Sequence, residues 1–208
     1  VNTESLSFTV RLVESDAELG LACQVRAAAY GRDLPQLGAS MLQPDALDRA
    51  PDTLVLLARD KQSGRAVGTA RICTNRHGPL LIEQCFALPA EFVGKRLGEV
   101  TRLAVHPDNV DPALRMTLLK AVFLAAKARG IDEIVVGVRR PGLVRNYRHL
   151  GFRDLHPEPV PLSYAGGLPH HMMSFNVRDL EQTWRTSGHR LYAWGIETEH
   201  PDICVVPA

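Results

Sequence analysis

The chain has 208 residues, of which 45% are hydrophobic and 23% charged, and a formal net charge of +1. This is the composition of an ordinary globular protein, and its near-neutral charge offers no electrostatic footprint for nucleic acid or an anionic membrane surface. No run approaches the ~20 apolar residues of a membrane span. Residues 1–5 lack the basic-then-apolar pattern of a signal peptide. Cys23, Cys73, Cys85 and Cys204 are scattered without a C-x-x-C pair. The expectation is a cytoplasmic protein with reduced thiols, no metal site and one domain over 1–208, with its core at about 8–177 and an extension over 178–208.

Phe8 to Val13 alternates and predicts a strand. Ser15 followed by Glu18 reads as a capping box, opening a helix that buries Leu21, Val25, Ala28 and Ala29 and ends near Gly31. Residues 31–52 have little periodicity and read as a loop with room for one short helix. Two β-rich runs, Thr53 to Ala58 and Ala66 to Thr74, flank the turn at Asp60–Gly64 and predict a hairpin. Residues 78–97 are ambiguous between strand and helix. Gly98 to His106 is the next strand, stopped by Pro107. Asp111-Pro112 predicts an N-cap followed by proline at the first helical position. The helix then runs to Arg129 and stops at Gly130, apolar nearly all round and so buried. Ile131 to Val138 is a fully apolar strand of the parallel-sheet type. Pro141 to Leu150 is a short helix, Met172 to Val177 a strand and Asp179 to Thr186 a helix. The remaining tail has little periodicity, and His170-His171 reads as a loop or surface feature.

Strand, helix, strand, helix over 98–150, preceded by a hairpin, predicts an α/β fold: a central mixed sheet with helices on both faces. Within it, Glu99-Val100-Thr101-Arg102 sets two ionisable groups at the start of a buried strand. Charges are costly to bury unless paired or used. In a regular strand positions 99 and 102 face opposite sides; a β-bulge would bring them together.

This segment, with Asn146-Tyr147-Arg148-His149-Leu150-Gly151-Phe152 some fifty residues on, resembles the core of the GNAT-fold acyltransferases. The E-x-x-R pair is similar to that of the branch holding acyl-homoserine-lactone synthases and long-chain N-acyl amino acid synthases. The resemblance covers about 8–177. It implies that the donor's pantetheine arm pairs with the backbone of Leu103, Ala104 and Val105. It implies that Glu99 accepts the amine proton directly or through water, and that Tyr147 protonates the leaving thiolate. Arg26, Asp45, Asp48, Arg71 and Arg102 match the family's acceptor or electrostatic network, and Tyr30 its helical aromatic. The family's tryptophan in the loop after the first helix is absent. The phosphate loop is altered as well. In Val110-Asp111-Pro112-Ala113-Leu114-Arg115 the glycines are missing, Asp111 adds negative charge and Pro112 removes a donor. This disfavours a CoA pyrophosphate and suits the single phosphodiester of an acyl carrier protein, which Arg115 would meet.

The resemblance therefore implies an N-acyltransferase with no tightly bound cofactor. Its donor is an acyl-carrier-protein phosphopantetheine or acyl-CoA carrying a medium or long chain. Its acceptor is the amine of an amino acid or a homoserine-lactone-like molecule. Acyl carrier protein is the expected partner, with no nucleic acid and no membrane segment. The alternatives are a short-chain acetyl-CoA-dependent N-acetyltransferase and a catalytically silent GNAT-like binding module.

Overall fold

Residues 2–206 are described by the computed structural model. The elements in chain order are β1 (Asn2–Thr3), β2 (Phe8–Leu12), α1 (Asp16–Gly31), α2 (Pro35–Ser40), β3 (Leu54–Asp60), β4 (Ala66–Thr74), β5 (Leu97–Val105), α3 (Leu114–Ala128) and β6 (Glu133–Val138). They continue with α4 (Pro141–His149), β7 (Arg153–Asp154), β8 (Val160–Leu162), β9 (Leu168–Asn176), α5 (Leu180–Thr186), β10 (Thr198–Glu199) and β11 (Ile203–Cys204).

The predicted hairpin is β3–β4, and it forms the middle of a mixed sheet ordered β11-β2-β3-β4-β5-β6-β9-β7, with β8 added on β9. Neighbours β2 to β5 run antiparallel, β5–β6 is parallel and β6–β9 antiparallel. The apolar run of β6 thus has one parallel and one antiparallel neighbour, where the sequence suggests a parallel-sheet strand.

Side-chain alternation divides the strands between two covers. Leu54, Leu56 and Ala58 of β3 enter the core under α3, together with Ala70, Ile72, Val100 and Ile134. Val55 and Leu57, between them, pack against Leu19 and Ala22 of α1. On α1's side Leu97, Val135 and Met172 meet Leu80, Ile82 and Phe92 from the segment between β4 and β5. That ambiguous segment is neither strand nor α-helix but two 3₁₀ turns, Leu81–Gln84 and Ala90–Phe92. On the α3 side Val144 and Tyr147 of α4 pack on Val136, Val138 and Met173.

Several local expectations are corrected. Ser15 does cap α1, but the Glu18 carboxylate accepts from Glu14 N–H and not from Ser15, so the box closes one residue further out. Residues 31–52 hold α2 and a 3₁₀ turn, Ala46–Arg49. The helix expected at Asp111-Pro112 starts at Leu114 with no side-chain N-cap. Asp111 is absorbed in a turn instead, its carboxylate accepting from Ala113 N–H (2.9 Å) and Ser7 Oγ (2.5 Å). His170-His171 lies within β9, His171 opposite Val138. The tail makes a π-helical turn (Ala193–Glu197). It then returns to the N-terminal side, β10 pairing with β1 and β11 extending the sheet beside β2.

Candidate active site

Two irregularities in the sheet create the site. β5 and β6 pair only over Leu97–Glu99 and Glu133–Val135. Beyond this they splay, leaving a cleft of about 570 Å³ flanked by residues 100–105 and 136–140. The second irregularity is a bulge. Thr69 faces Ala104 and Arg71 faces Thr101, so Ala70 opposes both Arg102 and Leu103. Arg102 takes φ +55, the one positive value at a non-glycine among the described residues. Such a conformation costs of order 1–3 kcal/mol and is held only where its surroundings demand it.

The bulge expected from the E-x-x-R spacing is therefore present, but it leads Arg102 to Asp45 (3.6 Å) and not to Glu99. Asp45 belongs to a chain of charges. Arg26 on α1 donates to Asp48 (2.7 Å), and Arg71 on β4 donates to Asp48 (3.2 Å), to Asp45 (2.7 Å) and, through Nε, to Thr101 Oγ1 (3.0 Å). Asp45 and Asp48 also cap their own 3₁₀ turn reciprocally. The D-x-x-D loop thus folds down onto the sheet arginines and ties α1 to β4 and β5. Burial opposes ionisation of Asp45, but the bond and charge of Arg71 outweigh it and hold the carboxyl below its usual range. Arg102 is pushed down by burial and by the neighbouring charge of Arg71. Three cations meet two carboxylates here, so the network presents a surplus positive charge beside the cleft.

Glu99 has no solvent exposure. Its Oε2 accepts from Ile82 N–H (3.1 Å) and its Oε1 from the Tyr164 hydroxyl (2.9 Å). Burial raises its pKa above the usual carboxylate value, against the pull of those two bonds and of Arg71. Tyr164 is raised by burial and by the adjacent Glu99, so its hydroxyl keeps its proton. Tyr164 lines a smaller pocket of about 90 Å³ on the α1 side, with Arg71, Thr101, Arg102 and Arg139. Sequence reasoning missed Tyr164, and the only signal was an aromatic beside the paired glycines 166 and 167.

Across the sheet, Tyr147 and Arg115 line the main cleft with Leu103, Ala104 and Val105. Tyr147 is buried against Phe152 in an edge-to-face contact (4.7 Å), and burial pushes its phenol up to about 12. Tyr147 also borders a third space, an apolar cavity of about 60 Å³ under α3 and α4. Tyr30 reaches both the cleft and the α1-side pocket, as does His170, whose pKa burial lowers. The structure therefore gathers Arg26, Asp45, Asp48, Arg71 and Arg102 into one network and puts Glu99 beside it. Leu103, Ala104, Val105, Arg115 and Tyr147 stand apart from that network, on the main cleft.

The family profile described as N-acyl amino acid synthase FeeM matches residues 22–176. The chain belongs to the FeeM N-acyl amino acid synthase family. This family membership makes it an acyltransferase. Its solved structural neighbours share the GNAT-like fold. The structure of FeeM, an N-acyl amino acid synthase from uncultured soil microbes, has TM-score 0.67 at 17% identity over 90% of this chain and 97% of that one. BjaI, a CoA-dependent acyl-homoserine lactone synthase solved with SAM and isopentyl-CoA, gives 0.59 at 15% identity over 93% of each chain. TofI, in a ternary complex with an inhibitor and MTA, gives 0.62 at 18% identity over 96% of this chain and 100% of that one. No curated protein matches the sequence. Among the described residues of this FeeM-family chain, no helix is long and apolar enough to cross a membrane.

Proposed function

We propose that this FeeM-family acyltransferase moves a medium or long acyl chain from the phosphopantetheine thioester of an acyl carrier protein to the amine of an α-amino acid. One observation carries the reading: Val100 lines the cleft, the apolar cavity and the α1-side pocket alike. A thioester carbon beside Val100 has its pantetheine arm in the cleft, its alkyl chain in the cavity and its attacking amine in the pocket. Such convergence would bring the reacting atoms together, while a chain longer than the cavity admits needs the cavity wall to move.

The backbone of Leu103 to Val105 has no β6 partner and is available to pair with the pantetheine amides. At the start of α3 the Asp111 carboxylate already occupies the Ala113 N–H (2.9 Å), and Pro112 has no N–H to offer. A helix start so blocked suits one phosphodiester held by Arg115 better than a pyrophosphate. In the acceptor pocket Arg102 touches Asp45 only at 3.6 Å. Its guanidinium thus retains donors for a substrate carboxylate, which the surplus positive charge also favours. Glu99 is sealed behind Tyr164, so the amine proton passes to the Tyr164 hydroxyl as that hydroxyl releases its own to Glu99. Tyr147, at about 12, keeps its proton and donates to the departing thiolate.

The small volume of the cavity, about 60 Å³, also favours a second reading, a short-chain acetyl-CoA-dependent N-acetyltransferase. Mass spectrometry of lipid extracts from cells expressing the wild type or Glu99→Gln separates the two. N-acyl amino acids present only with the wild type are expected. Their absence alongside acetylated amines from acetyl-CoA would replace the proposal by the second reading. Arg115→Ala is expected to raise KM for the carrier-protein donor about tenfold or more, the worth of one charge-assisted hydrogen bond. An unchanged KM in steady-state assays removes Arg115 from the phosphate site.

A further inference from the structure

We propose that the C-terminal segment closes the far end of the acyl cavity and sets the length of chain the enzyme accepts, with Lys120 as the latch that holds this wall in place. The proposal rests on the reading of that cavity as the acyl site. Leu180, Trp184, Trp194, Gly195 and Ile196 all line it, and all lie beyond residues 22–176, where the family profile matches. The cavity floor is therefore built from a part of the chain that the family pattern does not cover.

The wall is the π-helical turn Ala193–Glu197. Carbonyls at the end of a helical turn lack intrahelical donors, and here a buried lysine serves one within the turn and one just beyond it. Lys120 Nζ, from α3, donates to Trp194 O (2.8 Å) and Thr198 O (2.7 Å), lies 2.8 Å from His200 Nδ1 and sits 5.1 Å from the centre of the Trp194 ring. Its ammonium is thereby turned onto the tail, while its stem lines the cavity. The turn also lies flush on the neighbouring indole. A Cβ built on Gly195 would come within 2.7 Å of Trp184 Cζ3, so no space remains between wall and core.

At about 60 Å³ the cavity is well under the ~150 Å³ void that admits benzene. It takes only the end of a chain, and each additional methylene must displace the turn. Trimming the wall therefore lengthens the preferred chain.

The test is calorimetric binding of S-acyl pantetheines from butyryl to tetradecanoyl to the full chain, which needs no turnover. For the wild type, affinity is expected to climb with length and then break. For Trp194→Ala the break moves at least two carbons longer, raising the affinity of the first excluded chain about tenfold. Ile196→Ala shifts it the same way with a milder change in packing. A second measurement needs no variant. The chain's two tryptophans are the two that border the cavity, so an ω-bromododecanoyl pantetheine is expected to quench the wild type's fluorescence and acetyl pantetheine is not. Folded variants with the wild-type profile, wild-type affinity independent of length, or no quenching by the brominated chain each overturn the proposal. A wild type that shows the break and the quenching but acylates no amine supports the wall while sinking the proposed function.

Discussion

Glu99→Gln is expected to lower kcat for acyl transfer by about 10²–10⁴, the range for loss of a general base, with the fold intact. The geometry explains why the fold survives. Glu99 accepts from Ile82 N–H and from Tyr164 Oη–H. A glutamine keeps its carbonyl on Ile82 and turns its amide toward Tyr164, whose hydroxyl reverses to accept. Burial raises the Glu99 pKa, so its carboxyl holds a proton more firmly in the folded chain than in the unfolded one. Its contribution to stability is present below the unfolded carboxyl pKa and is lost as pH rises through the folded value. The wild-type rate should rise with pH through that elevated pKa, and the variant should lose this limb of the profile. Tyr164→Phe interrupts the same proton path and should also lose at least tenfold in kcat, whereas a base reached through water would tolerate it. A pH–rate profile of kcat for the three proteins decides the matter: a variant retaining the wild-type limb would show that Glu99 is not the base.

Arg71→Met is expected to cost about 3–5 kcal/mol, the usual penalty for removing one partner of a buried ion pair. At about 2–4 °C per kcal/mol for a chain of this size, Tm falls by roughly 6–20 °C. The side chains of Arg71 and Asp48 are each 1% exposed. Without Arg71, Asp48 keeps Arg26 as its single cation, Asp45 loses its 2.7 Å partner and Thr101 loses a donor. Because these bonds fasten the Asp45–Asp48 loop to β4, the acceptor side should loosen with them. Asp45→Asn added to Arg71→Met should cost less than it does alone, because the two side chains share one 2.7 Å bond, a coupling that a double-mutant cycle reads directly. A thermal midpoint within 2 °C of wild type would mean the network contributes nothing to stability.

How much of this was legible beforehand depended on the range of the interaction. The β3–β4 hairpin, β5 and the succession β5-α3-β6-α4 follow from local periodicity and turn chemistry, and the structure places them close to where the pattern does. Glu99 and Arg102 stood out because charges in a buried strand demand an explanation, and the bulge that reconciles their spacing is there. Periodicity does not say what they touch; the family resemblance groups Arg102 with Asp45 but leaves Tyr164 out. Asp45 reaches Arg71 across 26 positions, and Tyr164 reaches Glu99 across 65. No periodicity encodes such pairings. The start of α3 differs from the sequence expectation because Asp111 and Pro112 fit a helix start and a turn equally well, and the hydroxyl of Ser7, 104 residues away, helps hold the turn. The tail offered even less. Its order comes from Lys120 and from pairing with strands at the other end of the chain.

The parting of β5 from β6 also bears on solubility. An unpaired strand edge ordinarily invites another protein's strand to dock, and proteins blunt such edges with bulges, charge or cover. Here β5 beyond Glu99 lacks a partner on its β6 side, yet it stands in the middle of the sheet, with β6 and β9 screening it. A foreign strand, which needs a flat approach about 4.8 Å from its neighbour and room for side chains on both faces, meets the flanking strands first. A slim flexible thread enters where a polypeptide does not. By keeping this vacant row of amides inside the sheet, between β5 and β6, the protein holds a pairing edge ready where another protein's strand does not reach it.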